Sequence, residues 1–206
     1  MHSASTLPPV AAPPAVAATH SVWGTSIRFT LLATVLLGIG YPLLVTGIAG
    51  TLFPHKAAGS LILKDGRIIG SELLAQSFTA DNYFHPRPSA AGNGYDATAS
   101  SGSNLAQSNR ALVDRVQGSI DKLSKENPGH PVPIDLVTTS GSGLDPDITP
   151  DAAYFQAPRV AKARAIPEDR IRQLIAANIT KRQLGLLGEP RVNVLDLNLA
   201  LDSLSK

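Results

Sequence analysis

Residues 29–53 form the longest uncharged stretch of the chain, with no Asp, Glu, Lys, Arg or His among 25 positions. A helix of this length reaches about 37 Å at about 1.5 Å per residue, enough to cross a hydrocarbon core of about 30 Å. The alternative is a cleaved secretory signal, whose apolar region usually spans only about 7–15 residues after a basic start. Because this run is longer and follows a single Arg, the pattern favours an uncleaved membrane helix at 27–53.

Small residues recur along this predicted helix. Ala33, Gly40 and Gly47 are seven positions apart, which places them on one face of an α-helix, and Gly50 lies near that face. Small residues let a second helix approach closely in lipid, so the spacing predicts a helix-packing face, although glycine is also common in membrane helices generally. Pro42 lacks a backbone donor and predicts a kink near the middle.

The segments on either side of the helix differ in composition. Residues 1–26 contain two Pro-Pro pairs and many alanines, which predicts a disordered tail because such a segment cannot bury enough apolar surface. Residues 54–206 mix apolar and polar positions over about 150 residues, the size of one ordinary domain. The predicted organisation is therefore a tail at 1–26, a membrane helix at 27–53 and a soluble domain at 54–206.

Local patterns in the soluble domain predict three to five strands and about four helices, an α+β fold behind one N-terminal membrane helix. Apolar runs around Asp65-Gly66 predict a hairpin, and apolar residues at three- and four-residue steps predict a helix at 103–125. Thr149-Pro150 predicts a helix start, and Pro158 is expected to break that helix in two. Further patterns predict strands at 134–138 and 191–197, a helix from Pro167, and a closing helix at 198–204.

Composition excludes several classes of function. The chain has no cysteine, so it has no disulfide, zinc-cysteine site or thiol nucleophile. Residues 54–206 hold 17 Lys and Arg against 16 Asp and Glu, which gives no footprint for nucleic acid. The five histidines show no metal-ligand spacing, so no metal site is predicted, and no catalytic set can be assembled from the spacing of polar residues.

Two regions are candidates for binding a nucleotide or another anion. The loop around Ser140 and Ser142 is rich in glycine, but it lacks the Lys-Ser/Thr ending of a phosphate-binding loop, which favours a plain turn. Gln156 and Arg159 begin a basic helical segment, and such charged runs usually form a solvated face. Ser140, Ser142, Gln156 and Arg159 together define the nucleotide-binding alternative.

Six strings in order carry a resemblance to a known family. The chain resembles the KdpC family, the C subunit of the Kdp high-affinity potassium-transporting P-type ATPase of bacteria. The strings occupy residues 70–78 (GSELLAQSF), 83–90 (YFHPRPSA), 101–105 (SGSNL), 139–146 (TSGSGLDP), 156–161 (QAPRVA) and 192–198 (VNVLDLN). Each is weak alone, but their order after an N-terminal anchor is specific. The tail at 1–26 is not explained by the family.

The resemblance implies an accessory subunit without catalysis of its own. It implies partnership in the membrane with a potassium-conducting subunit and a P-type ATPase subunit, stabilisation of their assembly, and a raised ATP affinity of the pump. It implies no cofactor bound by this chain, with ATP used at the level of the complex.

The resemblance and the charge pattern disagree on topology. Lys56, Lys64 and Arg67 follow the helix while only Arg28 precedes it, so a positive-inside count puts the domain in the cytoplasm. The resemblance implies the bacterial inner membrane, a cytoplasmic N-terminus and an extracytoplasmic main domain. We favour the latter because the charge bias is small. The alternatives are a nucleotide-binding regulatory subunit with a cytoplasmic domain, and an anchored extracytoplasmic enzyme or solute receptor.

Overall fold

The computed structural model describes residues 21–204, which divide into two units between Ala57 and Ala58. The first unit is helical: α1 spans Val22–Ala33, a π-helical segment spans Thr34–Gly40, and α2 spans Tyr41–Leu52. A single turn, α3, follows at Pro54–Ala57. Among the described residues, Val22–Leu52 is the one helix long and apolar enough to cross a membrane, and its most apolar part is not buried.

The apolar helix begins earlier than its composition predicts. Ser21 caps it, because the Ser21 side chain accepts a hydrogen bond from the Gly24 amide at 3.4 Å. The helix therefore includes residues 22–26, which the sequence pattern assigned to the disordered tail. The rest of that predicted tail, residues 1–20, lies outside the described residues.

The π-helical segment lies directly before Pro42. The Tyr41 amide donates to the Leu36 carbonyl, five residues back, rather than to the carbonyl four residues back. Pro42 has no amide hydrogen and would crowd the carbonyl of Gly38 in a regular α-helix, so the wider turn relieves that crowding. The sequence predicted a kink caused by Pro42, and the structure has a π-helical segment just before that residue.

This segment changes the predicted packing face. A π turn holds about one residue more than an α turn, so the rotation of about 100° per residue does not apply between Ala33 and Gly40. Ala33 is consequently rotated away from the face that Gly40 and Gly47 share through α2. A Cβ added at Gly47 or Gly50 would meet nothing within 4 Å. The packing role of these residues stays a prediction.

The second unit opens with the predicted hairpin. Strand β1 (Leu61–Lys64) pairs antiparallel with β2 (Arg67–Ser71), with a register shift between Ile62 and Leu63. The two turn residues have positive φ, 51° at Asp65 and 73° at Gly66, as the Asp-Gly signal requires. The hairpin prediction is confirmed.

A small sheet and four helices make up the rest, confirming the α+β class. The sheet has the order β3-β5-β4, antiparallel throughout. Its strands are β3 (Asp147–Ile148), β4 (Ile179–Thr180) and β5 (Arg191–Asn193), and the helices are α4 (Arg110–Glu126), α5 (Pro150–Arg164), α6 (Glu168–Ala177) and α7 (Val194–Leu204), with a 3-10 turn at Ile134–Leu136.

The core lies around α5. Small residues on its buried face let neighbouring elements approach closely, with Ala152, Ala153 and Ala157 fully buried. The buried cluster comprises Phe84, Leu136, Ile148, Ala152, Ala153, Phe155, Ala157, Val160, Ala161, Ile171, Ile175, Val192, Val194, Leu197 and Leu201. Elements from residue 84 to residue 201 thus share one apolar core.

Helix α5 departs from its prediction in one respect. Thr149 caps it as expected, accepting from the Ala152 amide at 3.3 Å, and Pro150 is its first residue. The prediction that Pro158 breaks the helix is wrong, since α5 continues to Arg164. Buried residues on both sides of Pro158, including Ala157 and Val160, hold the helix in the core, and this packing outweighs one missing hydrogen bond.

Three other local predictions are wrong or shifted. Helix α4 starts at Arg110 instead of residue 103, because the Asn109 side chain caps it by accepting from the Ala111 amide. The strand predicted at 134–138 is the 3-10 turn, in which the Val137 amide donates to the Ile134 carbonyl. The strand predicted at 191–197 stops at Asn193, whose side chain accepts from the amides of Leu195 and Asp196 and so starts α7.

Candidate functional site

Residues 79–102, here called the strap, contain no helix or strand and carry the motif YFHPRPSA. An irregular segment lacks the regular backbone hydrogen bonds of a helix or strand, so its buried backbone groups need partners elsewhere in the domain. In this domain, side chains of α5 and α7 supply them. The strap is therefore the place where the separate motifs of the chain meet.

Asn198 of α7 holds Phe84 by its backbone. The Phe84 amide donates to Asn198 Oδ1 at 2.8 Å, and Asn198 Nδ2 donates to the Phe84 carbonyl at 3.0 Å. Asn198 is 2% exposed and the Phe84 ring is fully buried. One side-chain amide thus replaces a β-strand partner at this position.

Gln156 of α5 holds the next residue in the same way. The His85 amide donates to Gln156 Oε1 at 2.8 Å, and Gln156 Nε2 donates to the His85 carbonyl at 3.1 Å. Gln156 Nε2 also donates to the Ala152 carbonyl at 3.2 Å, and Gln156 is 2% exposed. All of its side-chain hydrogen-bonding groups are consequently engaged within the domain.

Two arginines of α5 bind the start of the strap. Arg159 Nη1 donates to the carbonyls of Asp81 and Tyr83 at 2.6 and 3.0 Å, and its Nη2 donates to Gln156 Oε1 at 2.7 Å. Its Nε lies 3.3 Å from Glu126 Oε2 in an ion pair without hydrogen-bond alignment. The guanidinium is thus almost surrounded by groups of the domain.

Arg164, one turn further along α5, adds a second anchor. Its Nε donates to the Asn82 carbonyl at 2.7 Å, and its Nη2 forms an ion pair with Asp202 of α7 at 2.7 Å. The guanidinium also lies over the Tyr83 ring, 4.7 Å from its centroid. Arg164 therefore joins the strap, α5 and α7.

The second half of the strap packs on the glycine-rich loop 140–146. Arg87 Nη1 pairs with Asp145 at 3.0 Å, and Ser89 Oγ donates to the Gly143 carbonyl at 2.6 Å. Gly143 has φ of 68°, and an added Cβ would overlap the Ser101 carbonyl and lie 2.8 Å from the Ala91 amide. Only glycine fits there, which explains a glycine in this motif.

A surface cavity of about 260 Å³ lies between the strap and α4. Its lining includes Phe78, His85, Lys122, Glu126 and Gln156. Burial, followed by the charge of Arg159, lowers the pKa of the His85 imidazole below its usual value of 6.5. His85 is therefore mainly neutral at pH 7, and its Nε2 donates to the Ala80 carbonyl at 3.1 Å.

The four residues of the nucleotide-binding alternative fall in two places. Gln156 and Arg159 are joined to each other and to the strap. Ser140 and Ser142 stabilise their own loop, accepting from the amides of Asp145 and Leu144 at 3.4 and 3.1 Å. Gln156 and Arg159 line two different cavities, and neither Ser140 nor Ser142 is among the lining residues of those two cavities.

Asn198, Phe84 and Arg164 were not predicted as site residues from the sequence. Their contacts join positions 38 to 114 residues apart, which local patterns do not reveal. The one available signal was that Asn198 and Phe84 both lie in motif strings. No group of three or more His, Asp or Glu residues suited to a metal ion occurs in the described part of the chain.

Comparison with known proteins gives the family. A family model described as "K+-transporting ATPase, c chain" matches residues 23–203. A potassium-transporting ATPase KdpC subunit from Methylobacterium nodulans is 57% identical, covering 84% of this chain and 92% of that protein. KdpC subunits from Methylorubrum extorquens and Acidobacterium capsulatum are 58% and 56% identical, covering 84% and 87% of this chain and 92% and 97% of theirs.

The six motif strings all fall within the matched residues, and three residues that hold the strap, Gln156, Arg159 and Asn198, lie in these strings. The match covers the apolar helix as well as the domain. On this extent of similarity, the chain belongs to the KdpC family, the c chain of the K+-transporting ATPase.

Proposed function

We propose that this chain is a non-catalytic accessory subunit of an ATP-driven, high-affinity potassium import complex. It stabilises the assembly of a potassium-conducting subunit with a P-type ATPase subunit and raises the ATP affinity of the pump. The names of its relatives, KdpC subunits of a potassium-transporting ATPase, support this role. The internal engagement of Gln156 and Arg159 supports a structural rather than a catalytic use of these residues.

The observation that carries the proposal is the exposed apolar helix Val22–Leu52. Large apolar side chains stand out on all its sides, among them Leu31 at 62%, Leu43 at 67% and Leu52 at 65% exposure. Such a surface is stable only in lipid or against other helices. The helix is thus suited to anchor the domain in a membrane beside larger membrane-embedded partners.

In this proposal the chain crosses the bacterial inner membrane once, with the N-terminus cytoplasmic and the main domain extracytoplasmic. A domain on that side has no access to cytoplasmic ATP. The effect on ATP affinity is then a coupling free energy transmitted through the membrane helices of the pump, without a nucleotide bound to this chain.

Replacing both Gly40 and Gly47 by leucine is expected to release the chain from the purified complex. Large side chains on a closely packed face cost about 1–3 kcal/mol each, so the ratio of this chain to the ATPase subunit should fall about tenfold or more. The ratio is measured on complex purified through a tag on the ATPase subunit.

Ala49→Leu is the matched control, because Ala49 lies on the opposite side of α2 from Gly40 and Gly47. The control variant should remain bound at the ratio of the unaltered chain. Full retention of the double leucine variant in the complex would refute the proposal that Gly40 and Gly47 pack against a partner helix.

Orientation is tested with single cysteines, since the chain has none. Ser124 is exposed on α4, so Ser124→Cys should react with a membrane-impermeant maleimide in intact cells whose outer membrane has been permeabilised. Ser3→Cys should react only after lysis. The opposite labelling pattern would support the cytoplasmic alternative, in which Ser140, Ser142, Gln156 and Arg159 contact a nucleotide directly.

A further inference from the structure

A ten-residue exposed segment runs from the last residue of β4 toward β5 and forms a hairpin. Every residue from 180 to 189 is exposed, and three of them are leucines: Leu184 at 90%, Leu186 at 81% and Leu187 at 59% exposure. Single exposed leucines are common on protein surfaces, but three within four positions on one protruding tip form an apolar patch of the kind that marks an interaction site. We call residues 180–189 the leucine hairpin.

Hydrogen bonds hold the leucine hairpin in one shape. The Gln183 and Leu187 backbones exchange two hydrogen bonds of 2.9 Å each, and Arg182 pairs with Glu189 at 2.5 Å across its base. Its root is the β4–β5 pairing of Ile179 with Val192. The leucines are therefore presented from a defined backbone and not from a structureless loop.

One leucine of the tip, Leu184, has a costly backbone conformation. Leu184 has φ of 53°, in the left-handed region that non-glycine residues seldom adopt, and Gly185 and Gly188 each have φ of 75°. Nothing inside the domain rewards this conformation with burial, since Leu184 is almost wholly exposed. A preformed apolar tip reduces the ordering cost of binding to a matching surface.

The charge and size of the leucine hairpin distinguish between possible occupants. Lys181 and Arg182 are offset by Glu189, leaving one net positive charge, which is too little for strong attraction to anionic lipid. Three leucine side chains also cover far less than the roughly 800 Å² per partner that a stable dimer buries, so the tip alone does not make a homodimer. A nearly neutral, exposed apolar tip with a hydrogen-bonded backbone fits an apolar recess in another protein.

We propose that the leucine hairpin docks into an apolar recess on the extracytoplasmic surface of a partner subunit of the pump. This inference rests on the proposed function, because it takes the partner to be a subunit of the same complex and the domain to be extracytoplasmic. It adds a second attachment point to the one in the membrane. Two linked attachments strengthen each other, since binding at one raises the effective concentration at the other.

The first test replaces the three leucines together, as Leu184→Ser, Leu186→Ser and Leu187→Ser in the full chain. The ratio of this chain to the tagged ATPase subunit in purified complex should fall at least fivefold. The matched control carries Leu63→Ser, Ile68→Ser and Leu73→Ser, three large apolar residues that are also exposed (62%, 63% and 58%) elsewhere in the same domain. The control variant should be recovered at the unaltered ratio.

The outcomes separate the two hypotheses. If the unaltered chain is not recovered with the ATPase subunit, the proposed function fails. If the unaltered chain and the hairpin variant are recovered equally well, the docking inference fails. It also fails if the hairpin variant and the control variant are lost to the same extent. Both variants should keep the protease resistance of the unaltered full chain in detergent, because the replaced side chains are exposed.

A second test reports what covers the tip. Leu186→Cys, in a chain without other cysteines, is labelled with the polarity-sensitive fluorophore bimane. The emission should stay at its water-exposed wavelength in the full chain alone, in nanodiscs of phosphatidylethanolamine and phosphatidylglycerol, and shift to the blue in the assembled complex. A blue shift of the chain in nanodiscs without its partner subunits would show insertion into lipid and would overturn the inference. The absence of a shift in the assembled complex would overturn it as well.

Discussion

Replacing Gln156 by leucine is expected to lower the free energy of unfolding of the domain by about 2–5 kcal/mol. Leucine has nearly the volume of glutamine but no polar group, so the amide and carbonyl of His85 would lose their partner. Each buried backbone group left unpaired costs about 1–3 kcal/mol. Arg159 would lose a contact as well, which weakens the hold on the first part of the strap.

The loss is measured on the full chain in detergent by pulse proteolysis in urea. The single tryptophan, Trp23, lies in the apolar helix and not in the domain, so proteolysis is used in place of tryptophan fluorescence. Hydrogen exchange at the His85 amide gives a second, local reading and should accelerate. Gln173→Leu is the matched control, since Gln173 is exposed on α6, and it should change stability by no more than about 0.5 kcal/mol.

The result also separates two roles for Gln156. A glutamine that serves to bind a nucleotide at the surface can be replaced without loss of stability. If Gln156→Leu leaves the free energy of unfolding unchanged, the hydrogen bonds between Gln156 and the His85 backbone do not stabilise the domain, and the nucleotide-binding alternative gains support.

Replacing Phe84 by alanine is expected to lower the free energy of unfolding by about 3–5 kcal/mol, the range for deleting a buried aromatic ring. The Phe84 ring is fully buried in the cluster formed with residues of α5, α6 and α7. The strap has no helix or strand, so this ring is its main apolar anchor. Its removal leaves a cavity and detaches the strap.

The same proteolysis assay measures the loss, with two comparison variants. Phe84→Leu keeps most of the apolar volume and should cost less than half as much as alanine. Val113→Ala removes apolar volume from a half-exposed position on α4 and should cost no more than about 1 kcal/mol. A loss below 1 kcal/mol for Phe84→Ala would mean that the strap is not held by core packing.

Elements with strong local signals were predictable from the sequence. Asp65-Gly66 sets the two positive φ angles of the first hairpin, and Thr149-Pro150 provides a cap and a first helical residue. The long uncharged run likewise predicted the apolar helix, through its length and composition. In each case the determining residues are neighbours in sequence.

Predictions failed where tertiary contacts decide the local structure. Pro158 was expected to end a helix, but the buried alanines and Val160 of α5 keep the helix continuous. The side chain of Asn193 ends a strand and caps the helix that follows. The strand predicted at 191–197 is therefore only three residues long. Composition alone does not distinguish a capping asparagine from any other.

The candidate site was predictable only in part. Gln156 and Arg159 were singled out from their sequence string, but as ligand contacts, whereas their hydrogen bonds reach the strap about 71 to 78 residues earlier. Asn198 and Phe84 were not predicted as site residues, because a side-chain amide that replaces a β-strand partner produces no periodic pattern in the sequence. The family resemblance located the motifs without explaining why they are needed.

The pairing of Phe84 with Asn198 also delays the anchoring of the strap while the chain is being synthesised. The two residues are separated by 114 positions, so at about 5–20 residues per second the nascent chain carries an unanchored Phe84 for about 6–23 seconds. During that interval the backbone of Phe84 lacks the Asn198 side chain as its partner, and the apolar cluster that contains the Phe84 ring lacks the side chains that α7 contributes. A translation product that stops before Asn198 would keep this surface open, and exposed apolar surface of this kind is what chaperones and quality-control proteases bind.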